Sequence, residues 1–336
     1  MGIPPRLVAI LLATCVPLTA DAHEIFVSNE QDNTVSVVDI EKKAVVHTIR
    51  VGSRPRGLAV SRDGTKLFLC ASDNNAIQEF DARTYEHIHD FEDIDDPEQL
   101  ALASDGRRLY TANEDSAAIT AIDVQSRKVI GRVEVGVEPE GIAVSPDGKT
   151  VVATSETSNM VHFIDAEKLE LFANVLVGAR PRHAEFSADG TKLWVSSEIA
   201  GSVAVIDVAS RSIDRTITFD VPGITKNLIT PVGIRLTKDG TKAFVALGTA
   251  NRVAVVDARS GEVEKYILVG IRVWHLELTP DDRMLITTNG GSNDVTLIDV
   301  SRLSAVKSIQ VGRYPWGAAA RPDRQGAQMQ GSDSIQ

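Results

Sequence analysis

The stretch VEPEGIAVSPDGKTVVATSETSNMVHFIDAEKLELFANVLVG, Val137–Gly178, is one copy of a unit that fills most of this 336-residue chain. Two markers reveal the repeat. The dipeptide Asp-Gly begins at residues 63, 105, 147, 189 and 239, and a second series of aspartates stands at residues 39, 81, 123, 165, 207, 257 and 299. The interval is 42 residues, except for one step of 50 in each series, after residues 189 and 207. Self-similarity at such a period indicates a copied supersecondary unit.

Each unit contains four short runs of β-type sequence. In the quoted copy they are Gly141–Ser145, Thr150–Ser155, Met160–Asp165 and Leu171–Val177. They alternate apolar and polar residues or are continuously apolar, as strands do, and Asp147-Gly148 between the first two is a hairpin signal. The pattern predicts four antiparallel strands per unit.

Four antiparallel strands in about 42 residues are typical of one blade of a β-propeller. The aspartate series counts seven blades. The chain ends complete one blade between them: EIFVSNEQDN, TVSVVDI and AVVHTIRVG near the N-terminus are second to fourth strands, and RYPWGAAARPD near the C-terminus is a first strand. We therefore predict an all-β chain forming a single seven-bladed β-propeller, closed by three N-terminal strands and one C-terminal strand. An open solenoid, the alternative, would need polar capping repeats.

The two ends of the chain are predicted to lie outside the propeller of residues 23–323. Residues 1–22 have a positive Arg6, a short apolar run Leu7–Leu18 and the small-residue site Ala20-Asp21-Ala22, which predict a cleaved signal peptide rather than a retained anchor. The polar residues 324–336 are predicted to be a disordered tail. The mature chain is expected in the periplasm, without membrane insertion.

Composition narrows the function. The net charge is −11 and no basic stripe occurs, which argues against a nucleic-acid partner.

Cys15 would leave with the signal peptide, so Cys70 has no cysteine to pair with. Cys70 aligns with alanine, serine or threonine in other copies, as a packing position does.

Acidic residues recur in the loops between second and third strands. Strand order brings these loops and the fourth-to-first loops to one end of the channel, here called the top face. Glu114, Glu156 and Glu198 stand nine residues after the Asp-Gly aspartates. Such an arc of oxygens could hold a divalent cation. The alternative is that each glutamate bonds the backbone of its own loop or pairs with an arginine.

The residues that begin the first strands are predicted to ring the channel mouth on the same face. The candidates for binding a ligand or partner are Arg56, Arg182, His183, Trp274, His275 and Trp316. Arginine grips carboxylates and tryptophan offers a flat apolar face, so a planar polycarboxylate such as a quinone cofactor would suit this set. A protein-docking face is equally compatible. In the alternative without a site, the tryptophans pack between blades and the arginines pair with the glutamates.

The eight extra residues, within Thr218–Pro231, are also predicted on the top face. They either belong to a binding surface or are a neutral insertion in a surface loop.

The repeats resemble the YVTN-type β-propeller family. The namesake position reads Phe26-Val27-Ser28-Asn29, Tyr110-Thr111-Ala112-Asn113, Trp194-Val195-Ser196-Ser197 and Ile286-Thr287-Thr288-Asn289. The exported, single-domain, seven-repeat layout looks most like the PQQ-dependent catabolism-associated β-propeller proteins. That resemblance implies an accessory role in quinoprotein alcohol oxidation, with a periplasmic quinoprotein dehydrogenase or cytochrome c as the partner.

Fold alone does not decide between a binding module and an enzyme. No distinctive nucleophile–base–acid motif and no heme-attachment cysteine pair occurs in the sequence. We expect a non-enzymatic binding or scaffold protein with no required cofactor, for which PQQ or a divalent cation is a possible ligand. The alternative is a hydrolase of the lactonase or metal-dependent propeller type, using glutamate, arginine and histidine at the channel mouth.

Overall fold

The computed structural model describes residues 23–322, which form seven four-stranded antiparallel sheets around a central channel. The predicted seven-bladed propeller is confirmed. The predicted signal peptide and tail lie outside the described residues. The strands are β1 (Glu24–Asn29), β2 (Thr34–Asp39), β3 (Ala44–Arg50), β4 (Pro55–Val60), β5 (Lys66–Ala71), β6 (Ala76–Asp81), β7 (His87–Phe91), β8 (Pro97–Leu102), β9 (Arg108–Asn113), β10 (Ala118–Asp123), β11 (Lys128–Glu134), β12 (Pro139–Val144), β13 (Thr150–Ser155), β14 (Met160–Asp165), β15 (Glu170–Leu176), β16 (Pro181–Phe186), β17 (Lys192–Ser197), β18 (Ser202–Asp207), β19 (Ser212–Thr218), β20 (Ile234–Leu236), β21 (Lys242–Ala246), β22 (Arg252–Asp257), β23 (Val263–Leu268), β24 (Val273–Leu278), β25 (Met284–Asn289), β26 (Asp294–Asp299), β27 (Ser304–Gln310) and β28 (Pro315–Ala320).

Blades 1 to 6 each take four consecutive strands, from β4–β7 to β24–β27, and blade 7 has the order β28-β1-β2-β3. In blade 7 the antiparallel pairing joins Ile25 to Ala320 and Val27 to Ala318. The first strands of neighbouring blades contact one another all the way round, including β28 with β4 and with β24. The C-terminal strand therefore closes the ring.

The repeated aspartates build the turns of the bottom face. Asp147 accepts hydrogen bonds from Ser145 Oγ at 2.6 Å and from the Lys149 backbone N–H at 3.0 Å. Gly148 follows with φ +72°, in the left-handed region that glycine adopts without strain. In the next turn the Asp165 carboxylate accepts the N–H groups of Glu167 and Lys168. These local bonds explain why both series hold their spacing.

The core lies between the sheets, where second and third strands are almost wholly buried. Phe26 and Val37 of blade 7, for example, pack with Leu67 and Phe80 of blade 1. The inserted segment joins this core: Phe219, Val221 and Ile229 are buried between blades 4 and 5. The insertion is therefore anchored by apolar packing, and Thr230 at its end reaches the top pocket described below.

The channel strands alternate small and large residues around the ring at one level. Glycines stand at residues 57, 141, 233 and 317, and Gln99, His183 and His275 lie between them. A Cβ added to Gly141 would lie 2.5 Å from the Arg182 carbonyl oxygen, so close approach of the neighbouring strand requires glycine there.

Within residues 23–322 no helix is long and apolar enough to span a membrane.

Candidate functional site

The top face is organised by the residue that precedes each channel strand. Arg54, Arg180 and Arg272 occupy this position with φ of +53°, +57° and +56°. Their carbonyl oxygens accept backbone N–H bonds from the second-to-third loop, as Arg180 does from Glu198 at 2.8 Å. The left-handed conformation, uncommon for such residues, holds the three arginines over the channel. These three arginines were not predicted from the sequence, although the repeated position just before each first strand, at Pro55, Pro181 or Val273, was available as a signal.

These loops enclose a cavity of about 360 Å³, here called the top pocket. It combines five arginines, four glutamates and three aromatic rings. The lining residues are Glu30, Arg54, Arg56, Glu114, Glu140, Arg180, Arg182, Glu198, Ile199, Thr230, Arg272, Trp274, Tyr314 and Trp316.

Arg182 is the buried centre of one ion-pair network. Its side chain is 6% exposed, and its Nη2 lies 3.0 Å from Glu140 Oε1 while Nη1 bonds Glu156. Arg180, 45% exposed, places Nε 2.9 Å from Glu156 and 3.2 Å from Glu198. Two arginines, one buried and one exposed, thus share the same carboxylates.

Arg56 and Arg54 form a matching network on the other side of the pocket. Nη1 of Arg56 bonds the fully buried Glu98 at 2.7 Å, and Nη2 bonds Glu30 at 3.2 Å. Arg54 bonds Asp96 at 2.7 Å and Glu98 at 2.6 Å. Arg56 and Arg182 line the top pocket, and both pair with glutamates, which is the arrangement expected in the alternative without a site.

The predicted glutamate arc does not converge. Glu156 and Glu198 share Arg180, whereas Glu114 faces Arg54 at 3.8 Å. Among the described residues, the one group of three ligand-type side chains close enough for a metal ion is Asp96, Glu98 and Glu114. Because Arg54 already bonds two of them, a guanidinium holds the place that a cation would take.

Burial changes the charge of these carboxylates. Burial raises the pKa of Glu156 to about 7, although Arg182 opposes it. Burial, reinforced by the nearby Glu140, also raises the pKa of Glu98 well above its ordinary value. The pocket therefore gains positive charge as the pH falls toward neutrality and below.

The two predicted tryptophans pack together beside the arginines. Trp274 and Trp316 form a small cluster with Val232 and Tyr314. The guanidinium carbon of Arg272 lies 4.2 Å from the ring centre of Trp274, and that of Arg56 lies 5.1 Å from the ring centre of Trp316. These are cation–π distances, so each ring faces a guanidinium group.

A set of buried N–H donors around the top pocket lacks acceptors. Among the described residues, no acceptor is found for the Nε–H groups of Arg56, Arg182 and Arg272 or for the indole N–H groups of Trp274 and Trp316. Two buried carboxylate oxygens of the same lining, Glu30 Oε2 and Glu140 Oε1, likewise have no hydrogen-bond partner. Buried polar groups in proteins are normally satisfied, and because the unpaired donors outnumber these acceptors five to two, acceptor groups of a ligand would be stabilised here.

The two predicted histidines do not line the top pocket. This corrects the prediction that they ring the channel mouth together with the arginines and tryptophans. His183 and His275 line a second cavity below the top pocket, of about 430 Å³, here called the lower compartment. Arg182 lines the top pocket and His183, the next residue, lines the lower compartment; the strand register shifts between Pro181 and His183. Gln99 Nε2 lies 3.4 Å from His275 Nε2, and the two histidine rings are 5.6 Å apart. We call Gln99, His183 and His275 the waist.

Burial keeps the waist histidines uncharged. Burial lowers the pKa of His183, and burial with the neighbouring His183 lowers that of His275 well below its ordinary value. Neutral rings suit a partition between two polar cavities, because they add no charge to either one.

Gly290 leaves room for the indole of Trp274. It stands where four other copies carry glutamate, and an added Cβ would lie 2.6 Å from Trp274 Nε1. We expect Gly290→Ala to displace the indole and lower the free energy of unfolding by about 1–3 kcal/mol through overpacking. Thermal unfolding measures this loss. In a Trp274→Leu background the same substitution should cost much less, and equal costs in both backgrounds would contradict the contact.

Comparisons with protein families detect related sequence in two parts of the chain. The model of the cytochrome D1 heme domain matches residues 67–181, and the model of the seven-bladed β-propeller lactonases matches residues 164–310. Each covers less than half of the chain. No curated protein matches the sequence.

Solved structures resemble the whole propeller. Hydrazine synthase of Kuenenia stuttgartiensis has a TM-score of 0.73 at 22% identity, over 80% of this chain and 90% of that one. A putative 6-phosphogluconolactonase of Bacteroides uniformis gives 0.75 at 19% identity, over 89% and 99%. The dihydro-heme d1 dehydrogenase NirN in complex with DHE gives 0.66 at 14% identity, over 88% and 74%. At these identities the likeness concerns the fold, and the chain is a seven-bladed β-propeller.

Proposed function

We propose that the protein is a binding module whose top pocket takes a planar aromatic polycarboxylate. The observation that carries this proposal is the set of five unsatisfied N–H donors beside two tryptophan rings. Carboxylate groups supply acceptors for guanidinium and indole N–H donors, and a flat conjugated body suits the aromatic walls.

Access to the donors would come from movement of the exposed arginines. Arg54 and Arg180 keep 26% and 45% of their side chains exposed, whereas Arg182 keeps 6%. The outer arginines would exchange their glutamate partners for ligand carboxylates, while the buried pairs stay in place. The exchange should cost little electrostatic free energy. Each guanidinium remains paired with a carboxylate, and Glu98 and Glu156 keep their buried partners Arg56 and Arg182.

The particular ligand that we favour is the quinone cofactor PQQ. The exported, single-domain layout resembles the propeller proteins associated with PQQ-dependent catabolism, and on this basis the protein would serve quinoprotein alcohol oxidation in the periplasm. A quinoprotein dehydrogenase or cytochrome c would dock on the same face. The likeness to the cytochrome D1 heme domain, over residues 67–181, supports the same ligand shape. Among the described residues that line the top pocket, Tyr314 is the one of a type that ligates heme iron, since histidine, cysteine and methionine do not occur there.

A lactone hydrolase is the second candidate, favoured by the lactonase match over residues 164–310. A metal-assisted mechanism at Asp96, Glu98 and Glu114 would first have to displace Arg54. Turnover of lactones by the purified protein, lost on Glu98→Gln, would favour this function over binding alone.

Calorimetric titration of the purified mature chain tests the binding proposal. We expect PQQ and the simple planar tricarboxylate trimesate to bind, and the flexible tricarboxylate citrate to bind at least about tenfold more weakly. Arg272→Ala should weaken PQQ binding by about tenfold or more, because a charge-assisted hydrogen bond is lost. Arg302→Ala, on an exposed bottom-face arginine paired with Asp299, is the matched control.

Three outcomes would decide against the proposal or a part of it. Absence of binding by every planar carboxylate at millimolar concentration would overturn the site, and so would identical affinities of the wild type and Arg272→Ala. Hemin binding without PQQ binding would keep the ligand class but remove PQQ.

A further inference from the structure

The lower compartment is a second cavity with two unlike walls. It extends from the waist to the hairpin turns of the bottom face, where Pro146 and Ser187 line it. One wall, from blades 4 to 6, carries charged side chains. The facing wall, from blades 7 and 1 to 3, carries aliphatic side chains, and the partly exposed ones include Leu58, Ala101 and Val144. Such a cavity accommodates a small molecule with one polar end.

The charged wall has two carboxylates for one guanidinium. Arg235 Nη1 bonds Glu185 Oε2 at 3.0 Å, and Nη2 bonds Glu277 Oε2 at 2.9 Å. The side chains of Glu185 and Glu277 remain 25% and 18% exposed, and both line the cavity. Arg235 therefore bridges the pair without covering it.

Among the described residues that line the lower compartment, Arg235 is the one lysine or arginine. Both waist histidines are held neutral by burial, as their lowered pKa values show. Burial raises the pKa of Glu277, and the nearby Glu185 adds to this rise against the opposing effect of Arg235. Burial also acts to raise the pKa of Glu185, but Arg235 and His183 bring it below its ordinary value. With both carboxylates ionised, the wall has one negative charge in excess.

We propose that the lower compartment binds a small organic cation of the primary alkylamine type. The ammonium group would donate hydrogen bonds to Glu277 and Glu185, and the alkyl chain would lie along the aliphatic wall. An ammonium group is a compact point charge with three donors, which fits two carboxylates set side by side.

Two alternatives fit the geometry less well. A metal ion needs several ligands that converge, and the one such group of described residues lies on the top face at Asp96, Glu98 and Glu114. An anion would meet the excess negative charge directly. The proposal does not rest on ligand binding in the top pocket, because the charged wall of Glu185, Arg235 and Glu277 lines the lower compartment alone; the one lining residue that the two cavities share is Trp316.

Titration of the full mature chain with three four-carbon probes tests the proposal. Butylammonium, butanol and butyrate share one apolar body and differ in the charge of the head group. At pH 7.5 we expect butylammonium to bind at least about tenfold more tightly than butanol, and butyrate to show no binding. Calorimetry or ligand-observed NMR at millimolar probe concentration measures the difference.

Substitutions locate the site. Glu277→Gln keeps the size and an acceptor oxygen for Arg235, so the wall should remain folded, but it should weaken butylammonium binding about tenfold or more. Glu264→Gln, on an outer-strand glutamate paired with Lys242, is the matched control, and Arg272→Ala in the top pocket should have no effect. Equal binding of butanol and butylammonium, or unchanged binding by Glu277→Gln, would overturn the proposal. Stoichiometric Zn²⁺ binding that depends on Glu277, without amine binding, would replace it by a metal site.

Discussion

A chain that ends at Arg313, and so lacks β28, is expected to lose cooperative folding altogether. β28 pairs with β1 along its length and also packs against β4 and β24. Its removal exposes the edge of blade 7 and the apolar faces of blades 1 and 6 at once. Unpaired edges and uncovered sheet faces favour aggregation over the folded state. Circular dichroism, thermal unfolding and size-exclusion chromatography measure the loss.

A circular permutant separates ring closure from the mere loss of residues. The Arg321 backbone N–H donates to the Glu24 carbonyl oxygen at 2.8 Å, so the end of β28 lies beside the start of β1. Placing residues 314–322 before residue 24, with a short glycine-containing link, would join the two strands as an ordinary hairpin. We expect this permutant to fold, whereas the truncated chain does not. A truncated chain that melts at the wild-type temperature would refute the closure argument.

The fold was predictable because its determinants are local and repeated. An aspartate that bonds the backbone two or three residues further on, as Asp165 does, acts within one turn and is visible in one sequence. The strands of the third copy were placed within two residues of Pro139–Val144, Thr150–Ser155, Met160–Asp165 and Glu170–Leu176. Seven copies of the same local solution leave few architectures open.

Which side chains of the channel strands line the top pocket and which line the lower compartment was not predictable in the same way. Simple alternation along a strand separates Arg182 from His183, but which of them faces up depends on a bulge at the start of β16. Both residues were predicted to lie at the channel mouth. The alternation of glycine with Gln99, His183 and His275 around the ring was available as a signal for the waist.

Contacts between blades that are not neighbours were also not predictable from the sequence. Arg272 of blade 6 lies 3.3 Å from Glu198 of blade 4, across the top of blade 5. Blade 5 makes room because Gly248 replaces the repeated glutamate, and an added Cβ would lie 2.0 Å from Thr230 Oγ1 at the end of the insertion. A single sequence shows the insertion and the glycine, but not that one accommodates the other.

Arg182→Ala is expected to destabilise the protein by about 3–5 kcal/mol, because it leaves the buried Glu140 without its cation and leaves Glu156 with only the exposed Arg180. Burial alone would lower the pKa of Arg182, but Glu140 and Glu156 raise it above its ordinary value. The exposed side-chain fractions of these glutamates are 4% and 5%, so in the folded protein water solvates them little and Arg182 supplies most of their stabilisation. Arg180→Ala is the matched control: Arg180 contacts the same Glu156 but is 45% exposed, and its loss should cost about 0–1 kcal/mol.

The loss in Arg182→Ala should depend on pH with a definite sign. Burial already raises the folded-state pKa of Glu156 to about 7, and removal of Arg182 raises it further. A carboxyl group whose pKa is higher in the folded state than in the unfolded state, about 4.3, favours folding less as the pH rises between the two values. Denaturant unfolding should therefore give a larger loss at pH 8 than at pH 5.5. Adding Glu156→Gln to the variant should recover part of the stability at pH 8, and a loss independent of pH would show that Arg182 acts through packing alone.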